Sequence, residues 1–256
     1  MNSKWQKLVG ILYKRIQAAT NEKHWLGEKK MTQARTLNEK ELNLILLYVK
    51  TRKHAARDRA MILMTHWAGM RIGEVAATKI SDVLALDGSI KLEINLTAAQ
   101  TKGKHARTVV LADKLRKELH TYLQERFDTK QLIAVTYSNV FNKALFATQK
   151  RESFNANTAC YHMHMLYKAA GIDGASSHSG RRSFLSALSA KAVPLKVLME
   201  LAGHRQAQTT MRYMNVTPVM KRAAVELVYA LLTRRSQYLF GLTRCDNNFQ
   251  SINLFF

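Results

Sequence analysis

Cationic and imidazole side chains gather in three separate, short segments of this sequence. Arg71 lies in GMRIGE, His178 and Arg181 lie in HSGRRS, and His204 lies in GHRQAQTTMRY, which ends on Tyr213. Planar guanidinium groups can each donate two parallel hydrogen bonds to phosphate oxygens. Donors that tighten as charge develops in a transition state can each lower a barrier by about 3 kcal/mol. The residue types therefore indicate chemistry on a phosphodiester, with the arginines as its clamp.

Tyr213 is the candidate nucleophile of this set. A phenol, with an ordinary pKa of about 10, attacks slowly until a neighbouring base or a cationic field favours the phenolate. His178 and the two arginines could supply both. A lone arginine or tyrosine is usually a surface or packing residue, so the prediction depends on the joint order and spacing. Tyr161, Tyr167 and Tyr229 lack a G-H partner at the right distance and are predicted to pack.

The three motifs resemble those of the tyrosine recombinases of the phage-integrase family. In that family an arginine in an R-x-G-E turn, an H-x-x-R pair and a G-H motif followed by a tyrosine form one active site. The resemblance covers about residues 35 to 233, and it implies that Arg71, His178, Arg181, His204 and Tyr213 are catalytic. It also implies the reaction, in which the tyrosine attacks a scissile phosphate and leaves a 3′-phosphotyrosyl link and a free 5′ hydroxyl.

The same resemblance implies a role for one lysine outside those five. The family uses a lysine on a β-hairpin as the acid that protonates the departing 5′ oxygen. Lys102 in the turn TKGK aligns with it best, and Lys104 on the same turn is the alternative. His204 would donate a hydrogen bond to a non-bridging phosphate oxygen. Glu74, one turn after Arg71, would orient a group of the site without being catalytic itself.

A strong positive charge characterises the chain, with 40 Lys and Arg against 18 Asp and Glu and a formal charge of +22. Such an excess repels itself unless a polyanion neutralises part of it, so nucleic acid is the expected partner, with an anionic membrane surface as a further possibility. The family resemblance implies that the nucleic acid is double-stranded DNA. A solvated basic surface without a partner is the simpler alternative. No apolar run approaches the roughly 20 residues of a bilayer-spanning helix, and the N-terminus is too charged for a signal peptide. We expect a cytoplasmic protein of a bacterial or phage host, associated with the nucleoid.

The sequence predicts no cofactor and no metal. It contains no G-x-x-x-x-G-K-[ST] loop for nucleotide phosphates and no acidic cluster for paired magnesium ions. One pattern, C-x-H-x-H at Cys160, His162 and His164, is reminiscent of a metal site. On a helix, however, positions two apart point to nearly opposite sides, so the three side chains would not close on one ion. The reaction is expected to need neither ATP nor metal, because a phosphotyrosine link conserves the bond energy for rejoining.

The elements that must position these residues are mostly helical. Only two prolines interrupt the chain, and most segments repeat apolar residues at three- and four-residue spacing. Helices are expected over residues 57–67, 115–123, 156–170, 180–190 and 218–232. Alternating residues from Ile90 to Leu96 and a second short strand after the TKGK turn predict a β-hairpin with lysines at its tip. The expected fold is mainly α, with a small antiparallel β-hairpin or sheet at one edge (α+β).

Three segments are predicted along the chain. Residues 1–34 form a short basic amphipathic helix and a polar linker. Residues 35–235 form the catalytic domain, which begins at a helix marked by Thr36 and Glu39 at capping-box spacing. Residues 236–256 form a tail that is either disordered or docks onto a neighbouring protomer, as the C-terminal segment of the family does.

Most members of the family carry a helical core-binding domain, whereas about 35 residues precede the match here. DNA affinity is then expected from the basic catalytic face, through phosphate contacts that carry little sequence information. The expected function is that of a site-specific recombinase or integrase of a mobile genetic element. It would assemble as a homotetramer on paired DNA sites, with accessory DNA-bending proteins as candidate partners. Two alternatives are a catalytically silent DNA-binding relic or regulator of the same fold and DNA relaxation like that of a type IB topoisomerase.

Overall fold

The computed structural model describes residues 34–101, 103–214, 218 and 221–226, in two units that divide after Met214. The first unit is mainly helical with one small sheet, which confirms the predicted fold class. Its helices are α1 (Glu39–Val49), α2 (Ala55–Trp67), α3 (Ile72–Ala77), α4 (Ile80–Val83), α5 (Asp113–Phe127), α6 (Ile133–Thr136), α7 (Ala156–Ala169), α8 (Ser179–Ala190), α9 (Leu195–Ala202) and α10 (Ala207–Met211). Its strands are β1 (Glu93–Leu96) and β2 (Arg107–Val110).

In the second unit, Pro218 and residues 221–226 are helical, within the helix predicted over 218–232. The remainder of that helix, the predicted N-terminal helix and the predicted tail lie outside the described residues. Among the described helices, none combines the length and the apolar character that a membrane crossing requires.

Helix α2 lies at the centre of the apolar core of the first unit. Met61, Ile62, Leu63 and Met64 are four successive residues, and all are fully buried. Four successive positions cover the whole circumference of a helix, so α2 must be enclosed on every side. Helices α8, α5 and α1 pack against it. The ends of α2 are therefore held rigidly, and the R-x-G-E segment begins immediately after one of them.

The start of α1 corrects the sequence prediction. Asn38 and Glu41 form the capping box, in place of Thr36 and Glu39. The Asn38 side chain accepts a hydrogen bond from the Glu41 amide at 2.9 Å, and the Glu41 carboxylate accepts one from the Asn38 amide at 3.0 Å. Asparagine is at least as good a cap as threonine, and the Arg35 guanidinium also binds the Glu41 carboxylate. The helix therefore begins two residues later than the predicted cap implies.

The two strands form the predicted hairpin as a two-stranded antiparallel sheet, with Ile94 opposite Val109. The first strand is shorter than the apolar alternation suggests. The Lys91 amide donates to the Val83 carbonyl at 2.9 Å, which directs the chain toward α4 before the strand starts. Leu92 is exposed as a result, although its neighbours in the alternation are buried.

Two tyrosines that were predicted to pack lie on α7, and they behave differently. Tyr167 is fully buried, with its hydroxyl 3.3 Å from His66 Nε2, as predicted. Tyr161 is 67% exposed, so the prediction is wrong for it. Six residues along a helix change the direction of a side chain by about two thirds of a turn, which places Tyr161 on a different face. Tyr229 lies outside the described residues.

Candidate active site

Arg71 is the N-cap of α3, directly after the turn that ends α2. Gly69 makes that turn with a φ of +61°, and the Phe184 ring of α8 occupies the space that a side chain at Gly69 would need. The Arg71 amide donates to the Glu74 carboxylate at 2.9 Å, and the Arg71 guanidinium donates to the same carboxylate at 2.8 Å. This pairing fixes the arginine while 27% of its side chain stays exposed.

Arg181 lies in the first turn of α8 and is almost completely buried. Its guanidinium donates to the Gly69 carbonyl at 2.6 Å, to the Ala202 carbonyl, and to His204 Nε2 at 3.0 Å. Burial, reinforced by the charge of Arg71, lowers the pKa of Arg181 to about 9. The group therefore remains cationic at neutral pH, and it connects the turn before Arg71 to the turn that carries His204.

His178 is the N-cap residue of α8, and its side chain is exposed. Its amide donates to the Ser176 hydroxyl at 3.3 Å. Thr65 and His66 of α2 occupy the space that a side chain at Gly180 would need. The first turn of α8 can therefore approach α2 closely only because this residue is glycine. His178 and Arg181 thus share a helix turn whose position against α2 depends on glycine.

His204 lies in the turn after α9, called here the His204 turn (residues 203–206), which Gly203 opens with a φ of +61°. His204 Nδ1 is 3.0 Å from the Thr210 hydroxyl. Burial, together with the charge of Arg181, lowers the pKa of His204 to about 4, so the ring is neutral at pH 7. Because a guanidinium can only donate, Nε2 accepts from Arg181 and Nδ1 carries the proton. The predicted hydrogen bond from His204 to a phosphate oxygen would require either a proton on Nε2 or a change of the Nδ1 partner from Thr210 to the phosphate.

Tyr213 follows α10 and is partly buried. Its ring stacks on the His204 ring, with the centroids 5.7 Å apart. The guanidinium carbon of Arg182 lies 5.8 Å from the centroid of the tyrosine ring. The Ser186 hydroxyl donates to the Tyr213 carbonyl at 3.3 Å. The phenol therefore lies beside the His204 imidazole and within reach of the Arg182 guanidinium.

Sequence reasoning missed Arg107, a third arginine of this region. Its guanidinium binds the Glu74 carboxylate at 2.6 Å and 3.3 Å and donates to the Leu201 carbonyl at 2.8 Å. Burial disfavours the charged form of Glu74, but the hydrogen bond and charge of Arg107 outweigh it and lower the carboxyl pKa. One signal in the sequence was available. Arg107 alternates with Val109 on β2, and an arginine on the inward face of a strand needs an anionic partner.

A cleft of about 790 Å³ lies between the hairpin turn and the His204 turn. Arg71, Arg107 and His204 contribute to its walls. The full lining is Arg71, Thr101, Gly103, His105, Ala106, Arg107, Lys196, Met199, Glu200, Gly203, His204 and Arg205. Lys102 lies outside the described residues. Lys104 is exposed on the same turn with a φ of +52°. The choice between the two lysines as the general acid stays a prediction.

A groove of about 920 Å³ beside α1 and α8 is larger, but none of the predicted site residues lines it. Its walls are largely apolar side chains such as Leu46 and Trp67. Size alone is therefore a poor guide to the site in this molecule. The charged cleft is the better candidate because cationic groups converge on it.

Two of the three C-x-H-x-H residues, Cys160 and His162, have separate partners. His162 Nε2 is 2.8 Å from the Asp58 carboxylate, and Cys160 Sγ is 3.0 Å from the Ser177 hydroxyl. Within the described residues, no group of three His, Cys, Asp or Glu side chains could hold a metal ion. The described cleft instead offers guanidinium groups, which suit an anionic ligand.

The family model described as the phage integrase family matches residues 35–220. Tyrosine recombinase XerA of Pyrococcus furiosus is 26% identical over 195 residues, which cover 76% of this chain and 62% of that protein. Tyrosine recombinase XerA of Thermococcus kodakarensis is 26% identical over 217 residues, covering 84% and 70%. The chain therefore spans roughly two thirds of the length of these relatives.

Solved structures show the same fold. The crystal structure of XerA recombinase superposes with a TM-score of 0.59 at 23% identity, over 77% of this chain and 65% of that one. The structure of XerH recombinase bound to difH substrate superposes with a TM-score of 0.55 at 22% identity, over 80% of this chain and 57% of that one. The catalytic domain of bacteriophage HP1 integrase superposes with a TM-score of 0.50 at 20% identity, over 76% of this chain and 95% of that one.

Proposed function

Because this chain belongs to the phage integrase family, we propose that it cleaves and rejoins double-stranded DNA as a site-specific recombinase, through a 3′-phosphotyrosyl intermediate. One observation carries the proposal. The His204 ring lies between Arg181, at 3.0 Å from Nε2, and the stacked ring of Tyr213, with centroids 5.7 Å apart. A phosphate-binding guanidinium and a nucleophilic phenol thus share one imidazole as their neighbour.

The proposed first step exchanges one phosphodiester for another. Tyr213 Oη attacks the scissile phosphorus and loses its proton to a base, for which His178 is the candidate. The bond from phosphorus to the 5′ oxygen breaks, and that oxygen takes a proton from Lys102 or Lys104. Arg71 and Arg181 would donate to the non-bridging oxygens as charge develops there.

The second step reverses the first with a different strand. The 5′ hydroxyl of the partner strand attacks the phosphotyrosyl phosphorus, and the tyrosine leaves with a proton returned to it. The number of phosphodiester bonds is the same before and after, so the exchange needs no external source of energy. Two such exchanges join the partner duplexes, which requires four protomers on two sites.

The charge and the relatives support DNA as the substrate. The formal charge of +22 favours a polyanion. Among the similar solved structures, XerH is bound to a difH substrate, and the Tn1549 transposon integrase is in complex with transposon right-end DNA. We extend that substrate class to this chain and place the protein in the cytoplasm of the host of a mobile genetic element, with DNA-bending proteins as candidate partners.

Covalent capture on DNA tests the proposal without knowledge of the target site. The full chain is incubated with a library of nicked duplexes of randomised sequence, denatured in SDS, and the protein-linked DNA is recovered and sequenced. A nick beside the cleaved bond lets the short 5′-hydroxyl fragment diffuse away, so the adduct accumulates. We expect adducts from the natural chain, with a preferred sequence among the captured duplexes.

Two tyrosine variants make the capture decisive. Tyr213→Phe removes only the attacking oxygen and should abolish the adduct. Tyr161→Phe is the matched control, because Tyr161 is exposed and takes no part in the contacts of His204, and it should leave the yield unchanged. Adducts that survive in Tyr213→Phe would contradict the assignment of the nucleophile. Salt-sensitive binding without any adduct would favour the silent DNA-binding alternative, and adducts without sequence preference would favour relaxation of DNA.

A further inference from the structure

Arg107 occupies an unusual place among the charged residues of the first unit. It is the first residue of β2, yet its side chain is only 8% exposed. Three of its nitrogen atoms have acceptors at hydrogen-bonding distance: both oxygens of Glu74 and the carbonyl of Leu201. A guanidinium has five N–H donors in a fixed plane, so this arrangement holds its partners in a defined relative geometry.

The two partners of Arg107 belong to different motifs. Glu74 also receives both the amide and the guanidinium of Arg71, at 2.9 Å and 2.8 Å. Leu201 is in the last turn of α9, next to Ala202, whose carbonyl accepts a hydrogen bond from Arg181. Arg107 therefore connects the R-x-G-E segment to the end of α9, and it starts the strand that follows the lysine-bearing turn.

The sequence of the His204 turn accommodates Arg107. A Cβ atom added to Gly203 would lie 2.5 Å from Arg107 Cδ. Gly203 also has a φ of +61°, which disfavours any residue with a side chain. The glycine of the G-H motif thus allows both the reversal of the chain and the close approach of the arginine. His204 is the next residue, so the position of Arg107 fixes the start of the His204 turn.

We propose that Arg107 is a positioning residue for the reaction, which holds the His204 turn at a fixed distance from the Arg71–Glu74 pair. This inference rests on the proposed function. Two other roles are conceivable for such a residue, a direct contact with the phosphate and a purely structural ion pair. A direct contact would have to use the two N–H donors that remain, on a side chain that is only 8% exposed. A purely structural pair would not affect the rate of adduct formation in folded protein.

Amide hydrogen exchange tests the connection without reference to activity. In Arg107→Gln, the amides of residues 199–206 should exchange faster than in the natural chain, since the Leu201 carbonyl loses its donor. Arg59→Gln is the matched control: Arg59 also binds a carboxylate through two nitrogens, at 2.7 Å and 2.5 Å from Glu118. That variant should leave exchange in residues 199–206 unchanged.

Single-turnover adduct formation on a captured duplex tests the consequence. At saturating protein, Arg107→Gln should slow adduct formation by about 100-fold, because small displacements of reacting groups have effects of that size. The apparent Kd for DNA should change by less than about threefold. Arg107→Lys should recover part of the rate, since an ammonium group keeps the charge beside Glu74 but cannot bind all three acceptors. If Arg107→Gln does not fold, the lysine variant replaces it in both measurements.

A duplex with a methylphosphonate at the cleaved position separates positioning from direct contact. Such a phosphate carries no charge, so the loss of an arginine that neutralises charge there is partly compensated. Arg107→Gln should show the same relative loss on both duplexes, whereas compensation would assign Arg107 to the phosphate and overturn the proposal. A rate within about threefold of the natural chain would also overturn it. If the natural chain forms no adduct, the proposed function fails, and exchange in residues 199–206 alone decides whether Arg107 positions the turn.

Discussion

Two buried carboxylates lie near opposite ends of α2, and both are surrounded by cations. Asp58, in the first turn of α2, contacts Arg52, Arg57 and His162. Glu74, beyond the other end, contacts Arg71 and Arg107. In both cases burial opposes the charged form, while the cationic partners lower the carboxyl pKa. The two carboxylates are thus alike in their burial and in the direction of their pKa shift.

The clusters differ in what their cations contact next. At Asp58, Arg57 also donates to the Ala147 carbonyl at 3.1 Å and lies over the Phe154 ring. Those contacts secure the loop before α7. At Glu74, the arginines border the cleft and lead to the His204 turn. A buried ion pair is therefore not by itself a sign of function; its connection to a nucleophile and an open cleft is.

Removing the charge of each carboxylate should have the largest effect and should separate the two clusters by their effect on the rate of adduct formation. Asp58→Asn and Glu74→Gln each leave one largely buried guanidinium, that of Arg57 or Arg107, without its counter-ion, so each should lower the free energy of unfolding by about 3 kcal/mol. Only Glu74→Gln should also slow adduct formation, by about 100-fold, because only Glu74 holds arginines of the site. Urea unfolding measures the first effect, and single-turnover kinetics at 10 °C, where both variants should be folded, measures the second.

The comparison fails if the two variants slow adduct formation equally. That result would show that the Asp58 cluster also positions the site, through the rigid helix between them. A circular dichroism spectrum at the assay temperature is the control, because it separates slow chemistry from a smaller folded fraction.

Two buried or partly buried histidines, His66 in the core and His204 in the site, make the free energy of unfolding depend on pH. His66 is buried beside Tyr167, and burial lowers its pKa to about 4. The unfolded chain, with an ordinary histidine pKa near 6.5, therefore takes up the proton first as the pH falls. The stability that His66 contributes is complete above pH 6.5 and is lost between pH 6.5 and 4.

At pH 5 the loss due to His66 should be about 2 kcal/mol relative to pH 8. In His66→Gln, the difference in unfolding free energy between pH 8 and pH 5 should shrink by that amount, as measured by urea unfolding at both values. His204 has a similarly low pKa, with Arg181 as a cause beside burial, but it is only partly buried and its share should be smaller. An unchanged pH dependence in His66→Gln would mean that His66 is not neutral in the folded chain.

The sequence was informative wherever a local pattern determines the result. The glycines of GMRIGE and GHRQ and the apolar spacing of α2 operate within a few residues, and they locate the turns that carry Arg71 and His204. The cap of α1 is also a local feature, but it was predicted at Thr36 and lies at Asn38. Long-range partners were not predictable in this way. Arg107 and Glu74 are 33 residues apart, and the alternation of Arg107 with Val109 indicates an inward-facing side chain but does not identify its partner. The predictions that Leu92 and Tyr161 are buried were wrong for the same reason. A bend in a strand and the buried face of a helix both depend on the elements that pack against them.

The smallest expected effect concerns Arg182, whose guanidinium carbon lies 5.8 Å from the centroid of the Tyr213 ring. A cation at this distance contributes about 0.5–1 kcal/mol at a partly exposed site. Arg182→Gln should therefore slow adduct formation by about two- to fivefold near pH 7. Lys114→Gln is the matched control, because Lys114 lies 4.4 Å from the centroid of Trp67, outside the site, and it should leave the rate unchanged.

The lysine variant of Arg182 separates charge from packing. Arg182→Lys keeps a cation near the ring but removes the planar guanidinium, so recovery of the natural rate would assign the effect to charge. A deficit as large as that of Arg182→Gln would indicate that Arg182 only holds the ring in place. A deficit in Lys114→Gln of the same size would show that neither cation acts on the nucleophile, and that the contact between Arg182 and Tyr213 belongs with the structural contacts of the Asp58 cluster.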